Sequence, residues 1–382
     1  MDFRLSGSQR DLAAKMRSFA TKALVPSSES AEGQEFDALW RRTAEAGHAG
    51  LTLPREHGGG GHGLLDGVLA FEAMAESGAD PGFLFSLGVH QFAVTGPMIN
   101  LATPEQQATW LPAMASGRAL GAFAISEEHA GSDAFALSAV ARETAGGFAL
   151  SGEKVWVTNA PKADLFLVSA RTDDVGGAFG VSCFIVTRDA RGLSVRPGPA
   201  KIGLEGAPWG TLVLEDVEVP AANLIGARGG AAMVFQEAMR WERCGLFAIP
   251  LGAMQRAFRE CVARVAARKQ FDKPLIENHA VARTIALAAS RMEAARLMLY
   301  KAAASVDSGL ADDMAISLAK AFVSEAALEN ALEMQKLYGA AGVLRDSPAA
   351  RLVADMQPFR VLSGANELHY QVIARLVRVT GG

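Results

Sequence analysis

The chain has 382 residues, half of them hydrophobic, with 37 Lys and Arg against 41 Asp and Glu, a net charge of −4 and a pI near 6.0. That length predicts two or three packed units around a large core. The apolar fraction excludes a disordered chain, and a slightly acidic balance without a basic patch argues against a nucleic-acid footprint.

The opening stretch, MDFRLSGSQRDL, is charged throughout and lacks an apolar h-region, so no secretory signal is expected. Residues 1–118 then read as mostly helical: Leu12, Met16, Phe19 and Ala23 recur at helical spacing, as do Leu65, Leu69, Glu72 and Ala73. Leu53-Pro54, the glycine cluster from Gly58 to Gly63 and Asp80-Pro81-Gly82 mark loops. Between residues 119 and 228 the texture changes. Gly146-Gly147 separates AVARE from FALSGEKVWVTN and predicts a hairpin, and the runs LFLVSA, VSCFIV and TLVLEDVEVP follow as further strands. From residue 229 to 382, long Ala/Leu/Met/Arg segments of helical period return, broken at Lys273-Pro274, Ser308-Gly309, Gly339 to Gly342 and Ser363-Gly364. The expected fold class is α+β, mostly α: an N-terminal helical domain, a central β-barrel-like domain and a C-terminal four-helix-type bundle. No apolar run reaches the roughly 18 residues of a membrane helix. Cys183, Cys244 and Cys261 form neither a CxxC pair nor an even disulfide framework, so a reducing, cytoplasmic setting is expected.

Gly58, Gly60 and Gly63 satisfy GxGxxG, with Asp80 about 20 residues on. Only Leu51-Thr52-Leu53 and a proline precede them, so the strand–turn–helix context of a dinucleotide fingerprint is missing and a loop is expected. The seven histidines make no ligand cluster, so no metal is expected. No GxSxG supports a serine hydrolase.

Four separated motifs carry chemistry. Phe123-Ala-Ile-Ser-Glu-Glu-His-Ala-Gly-Ser-Asp133 comes first and Lys154-Val-Trp-Val-Thr-Asn159 second. Arg268-Lys-Gln-Phe271 with Asn278-His279 is third, and Gly339-Ala-Ala-Gly342 followed by Ser363-Gly-Ala-Asn-Glu367 is fourth. In this order and over essentially the whole chain they resemble the acyl-CoA dehydrogenase family. The resemblance implies FAD and α,β-dehydrogenation of an acyl thioester, in which an α-proton is abstracted and the β-hydrogen leaves as hydride to flavin N5.

Residue by residue, it implies that Trp156 covers the isoalloxazine and Thr158 donates near N5. Phe123, Ile125 and Ser126 serve the pyrimidine edge, and Ser132 reaches the pyrophosphate and the substrate. Arg268 supplies charge for the pyrophosphate, and the loop with Gly339 and Ala340, which comes from a neighbouring subunit of a homotetramer, lets backbone approach it; Phe271, His279, Lys336, Ala365 and Glu367 complete the cofactor set. Arg243, Ser363 and Gly364 belong to the substrate side. The implied partners are an acyl-CoA or acyl-carrier-protein substrate and an electron-transfer flavoprotein.

Several positions depart from the family pattern: Glu128-His129 stand for Pro-Gly, Asp272 for Gly, His279 for Gln, Ala340 for a second Gly, and Gly203 to Trp209 lack the usual Arg, Ser and Thr. The largest departure is Ser363, where most members carry the catalytic glutamate. A serine hydroxyl is too weak a base for an α-proton unaided. Met239-Arg-Trp-Glu-Arg-Cys244 resembles the helix on which isovaleryl-type and long-chain-type enzymes carry their glutamate before a conserved Arg, so Glu242 is the expected base. Read without the family, Glu242 is a solvated helix residue paired with Arg240 or Arg243. Two rival functions remain: a flavin monooxygenase on the same fold, which needs no such base, and a catalytically silent FAD-holding protein that binds an acyl thioester or a partner.

Overall fold

The computed structural model describes residues 4–25 and 35–380. Six helices come first: α1 (Gly7–Ala23), α2 (Phe36–Glu45), α3 (Leu64–Glu76), α4 (Pro81–Gly88), α5 (Thr95–Asn100) and α6 (Pro104–Ala115). Their starts are written locally. Ser6 and Gln9 form a capping box on α1, Thr103 and Gln106 form another on α6 ahead of Pro104, and Asp80 caps α4 through the Phe83 N–H. A π-helical segment, Val89–Val94, joins α4 to α5, and all six of its residues are buried.

Pro81–Asn100 corrects the expectation about apolar length: at 20 residues, with an 18-residue window of mean hydropathy 1.2, it is long and apolar enough to cross a membrane. Because 94% of that window is buried inside the protein, it is a core segment. The glycine-rich loop before α3 is occupied by its own chain. Asp307 takes the Leu64 and Leu65 N–H groups at 2.7 and 2.9 Å, filling the helix N-terminus where a nucleotide phosphate would sit.

The central part is one eight-stranded sheet: β1 (Gly121–Ala124), β2 (Val140–Thr144), β3 (Gly147–Thr158), β4 (Leu165–Arg171), β5 (Val181–Thr187), β6 (Leu193–Pro197), β7 (Trp209–Pro220) and β8 (Leu224–Ile225). Its path runs β6-β7-β3-β2-β4-β5-β8, with β1 parallel to β4. The predicted hairpin is β2–β3, closing at Thr144 opposite Gly147. With three strands between them in the path, β5 and β7 still touch, so the sheet curls toward a barrel around Phe148, Phe184, Leu212 and Leu214.

Six more helices follow among the described residues: α7 (Ala231–Gly245), α8 (Ala248–Ala267), α9 (His279–Asp307), α10 (Asp313–Tyr338), α11 (Pro348–Met356) and α12 (Asn366–Thr380). A two-stranded hairpin, β9 (Lys269–Gln270) and β10 (Lys273–Pro274), lies between α8 and α9. The small residues of α8 and α10 let the helices close on α3 and α9 around one apolar core that also takes in α1 and the π segment. All three cysteines are free and buried.

Candidate active site

Two clusters of chemistry-bearing residues form, one on the sheet and one in the helical bundle. On the sheet, Lys154 points inward from β3 with no exposed surface. Its ammonium donates to the Ile125 carbonyl at 3.1 Å and to Glu127 Oε1 at 2.7 Å. Glu127 also accepts from the Ser138 N–H and hydroxyl, both at 2.7 Å, and from the Ala139 N–H at 3.0 Å. Burial pushes the Glu127 carboxyl up, but Lys154 and Ser138 outweigh it and hold it down at about 2. The loop from Ile125 to Ala139 is thereby tied at both ends to one buried ion pair.

The Ser126 carbonyl accepts the Val155 N–H at 2.9 Å, which sets the next residue, Trp156, beside that loop. The register of β3 against β7 slips between Lys154 and Val157, and Trp156 takes a left-handed φ of 58°. A bulge of this kind turns a side chain out of the pleat, and Trp156 is 56% exposed. Its indole stacks on Trp209 of β7 at 5.1 Å and 27°, and the Lys201 ammonium lies 5.3 Å over Trp209. Asn159, buried at a left-handed φ of 70°, donates to the carbonyls of Ser86 and Gly121 at 3.0 Å each. It locks this strand end to α4 and β1. Phe123 packs against the cores on both sides of β1. Ile125 is buried, whereas Ser132 is exposed.

The second cluster joins the end of α7 to the turn before α12. Glu242 is buried, and its Oε1 accepts the Ser363 hydroxyl at 2.5 Å. The solvated reading of Glu242 is therefore set aside. Arg243 Nε donates to the Ser363 carbonyl at 3.1 Å, and His369 Nε2 lies 3.3 Å from the same oxygen. Ser363 and Gly364 have φ of 56° and 90°. Burial raises the Glu242 carboxyl, against the pull of Ser363, Arg243 and Lys320. Lys320, wholly buried on α10, donates to Asn366 Oδ1 at 2.6 Å; burial and the nearby Arg243 bring it down to about 7. Burial likewise lowers His369 to about 4. Ala365 is half-buried and Glu367 exposed on this turn. Lys320, His369, Asn366 and Trp209 were not picked out from sequence, although a single lysine in the apolar run AISLAKAFV was a visible signal.

The remaining predicted residues form a third patch on the bundle surface. Arg268 ends α8, Phe271 sits 97% exposed at the tip of the β9–β10 turn, and His279 opens α9. Lys336 pairs with Glu333 at 2.6 Å near the end of α10, and Gly339 and Ala340 follow, both exposed. The Arg264 guanidinium over the Tyr338 ring, at 4.6 Å, brings the ends of α8 and α10 together. Among the described residues, no hydrogen bond, ion pair or ring contact joins this patch to Trp156 or Glu242.

The sheet cluster fits a flavin. It offers a flat exposed indole backed by a second one, flanked by the part-buried hydroxyls of Ser126 and Thr158, neither of which is spent on a partner among the described residues. At Gly339, φ is 61° and a Cβ would meet nothing within 4 Å, leaving open backbone for a close approach.

Residues 6–118, 122–217 and 230–377 match the N-terminal, middle and C-terminal domains of acyl-CoA dehydrogenase. The chain is 35% identical over 380 residues to L-prolyl-[peptidyl-carrier protein] dehydrogenase of Pseudomonas fluorescens, covering 99% of this chain and 100% of that one. It is 33% identical over 362 residues to an acyl-CoA dehydrogenase of Bacillus subtilis, covering 94% and 95%. A solved structure of PigA with FAD and proline superposes with a TM-score of 0.95 at 31% identity, covering 100% of both chains. The chain belongs to the acyl-CoA dehydrogenase family. It is an FAD-dependent oxidoreductase acting on the CH–CH bond of an acyl thioester.

Proposed function

We propose that the chain dehydrogenates a thioester carried on protein-bound phosphopantetheine, an L-prolyl thioester first among the candidates, with Glu242 as the base. The carrying observation is the buried Glu242 carboxylate held at the turn that ends in Gly364. Burial raises its pKa toward working pH, which suits a group that must take an α-proton and later release it. The prolyl and carrier assignment is supported by whole-length similarity to the Pseudomonas fluorescens enzyme.

FAD, when bound, supplies the acceptor for the β-hydrogen and its electron pair. Trp156 supports the flavin ring, Thr158, Ser126, Ile125 and Phe123 line its polar edge, and Ser132 reaches toward the pyrophosphate. The backbone N–H of Ser363 is left to polarise the thioester carbonyl, which acidifies the α-carbon. Gly364 gives the thioester room, and Arg243, holding the Ser363 carbonyl, fixes that turn. Ala365 and Glu367 complete the cofactor side. Arg268, Phe271, His279, Lys336, Gly339 and Ala340 would serve the flavin nucleotide of a neighbouring subunit in a homotetramer. We also take 1–118, 119–228 and 229–382 as the working domains and an electron-transfer flavoprotein as the acceptor.

The test is bleaching of bound FAD by L-prolyl-loaded carrier protein and by a panel of acyl-CoAs. Glu242→Gln should keep its yellow colour and lose reduction by about 10² to 10⁴-fold. Reduction of that variant at the wild-type rate refutes the assignment. Bleaching by an acyl-CoA alone moves the substrate to CoA.

A further inference from the structure

The roles given above to position 363 belong to its backbone, yet its side chain is also engaged. Ser363 stands at a φ of 56°, a conformation that L residues adopt only when their surroundings hold them there. The surroundings are visible. Arg243 Nε–H grips its carbonyl at 3.1 Å, and His369 Nε2, which must carry the ring proton to do so, lies 3.3 Å from the same atom. With the backbone pinned, the hydroxyl reaches Glu242 Oε1 at 2.5 Å. Two consecutive residues of α7 thus close on one residue more than a hundred positions downstream, Arg243 on its carbonyl and Glu242 on its hydroxyl.

We propose that Ser363 is a positioning residue for the proton acceptor: its hydroxyl fixes the Glu242 carboxylate in one orientation and stabilises its ionised form. The inference rests on Glu242 being the base. The hydroxyl occupies Oε1, so Oε2 is the oxygen left to face the substrate's α-carbon. A donor to the charged form favours that form and opposes the burial that disfavours it. The other groups acting on Glu242 are Arg243 from its own helix and Lys320 from α10. His369 of α12 meets the Ser363 carbonyl and stays neutral above about 4. Asp313 acts on Arg243, and Glu325 and Glu367 act on Lys320. Lys320, held down at about 7, is present in the wild type and in a Ser363 variant alike, so the difference between two pH profiles reads the loss of the hydroxyl.

The test follows FAD bleaching in single turnovers across pH, using whichever thioester of the panel bleaches the wild type fastest. Ser363→Ala removes the hydroxyl and keeps the Cβ. Ser363→Gly removes both and suits the left-handed backbone, so it covers the case in which the alanine variant folds poorly. Both should retain FAD and move the acidic midpoint of the rate upward by about one pH unit. One unit below the wild-type midpoint, the rate should fall roughly tenfold. A midpoint within a few tenths of a unit of wild type in both variants overturns the proposal. Glu242→Gln separates the two levels. If that variant still bleaches, the base assignment itself fails; if it is inert while both Ser363 variants keep the wild-type midpoint, only the role of Ser363 falls.

Discussion

Replacing Lys154 with methionine tests whether the buried ion pair under the flavin loop organises the cofactor site. Methionine keeps most of the unbranched stem and its packing while deleting the ammonium. The loss comprises the 2.7 Å contact to Glu127, at zero and 4% exposure, and the 3.1 Å bond to the Ile125 carbonyl. Removing one partner of a buried pair costs about 3 to 5 kcal/mol. Glu127 keeps its three donors from Ser138 and Ala139, so we place Lys154→Met at the low end, about 3 kcal/mol. The loop lies on either side of Ser126, and Trp156 is two residues from Lys154, so FAD affinity should fall at least about tenfold with stability. Urea denaturation of the apo protein and fluorescence titration with FAD measure the two effects. A cycle with Glu127→Gln should give a coupling of about 2 kcal/mol. The Glu127 carboxyl is depressed, so its stabilising contribution is present above its unfolded value of 4.5 and is lost as pH falls toward 2. In Lys154→Met that loss should begin at higher pH. Wild-type denaturation together with unchanged FAD affinity would refute the reasoning.

Three further outcomes are expected. Trp209→Ala removes the indole behind Trp156, and since a stacked aromatic pair contributes about 0.5 to 1.5 kcal/mol, FAD should bind roughly two- to tenfold more weakly, read by the same titration. Burial raises all three thiols, Cys183 to about 12 and Cys261 to about 11, so a thiol reagent should label none of them in the native protein and all three after denaturation. Burial holds His90 down at about 4, below its ordinary 6.5, so its contribution is intact above 6.5 and lost as pH falls through 4. Acid titration should therefore show stability declining through that window, by up to about 3 kcal/mol from this residue, and His90→Gln should flatten it.

The succession of helices, strands and helices was legible because each change of period is long and each boundary carries a Gly, Pro or cap. The hairpin at Gly146-Gly147 and the helix bearing Glu242 are examples. Trp156 and Glu242 were legible as candidates because a motif names them, and the structure leaves the first exposed and the second buried. What could not be read was pairing between distant segments. Trp209 ends a stretch that departs from the family pattern, and its stacking depends on a register slip in β3 that leaves no composition signal. Asp272 stands for a family Gly, and the reason that position favours Gly emerges only from its φ of 61° in a two-residue turn. Aspartate is among the residues that tolerate such a φ. Lys320 is similar: a lysine in an apolar helix is conspicuous, but only the approach of α12 shows that Asn366 receives it.

On the proposal that Glu242 is the base, its closeness to Ser363 bears on why a carboxylate stands on only one of these two segments. With 2.5 Å between the hydroxyl and the carboxylate, acids at both positions would share one buried space. Like charges at that range cannot both ionise, and one would hold a proton at working pH. A serine at 363 keeps the donor and removes the competing charge. It also leaves untouched the backbone N–H proposed to polarise the thioester carbonyl. On that proposal, an uncharged side chain at 363 removes the competing charge, and a donor there supports the carboxylate on α7.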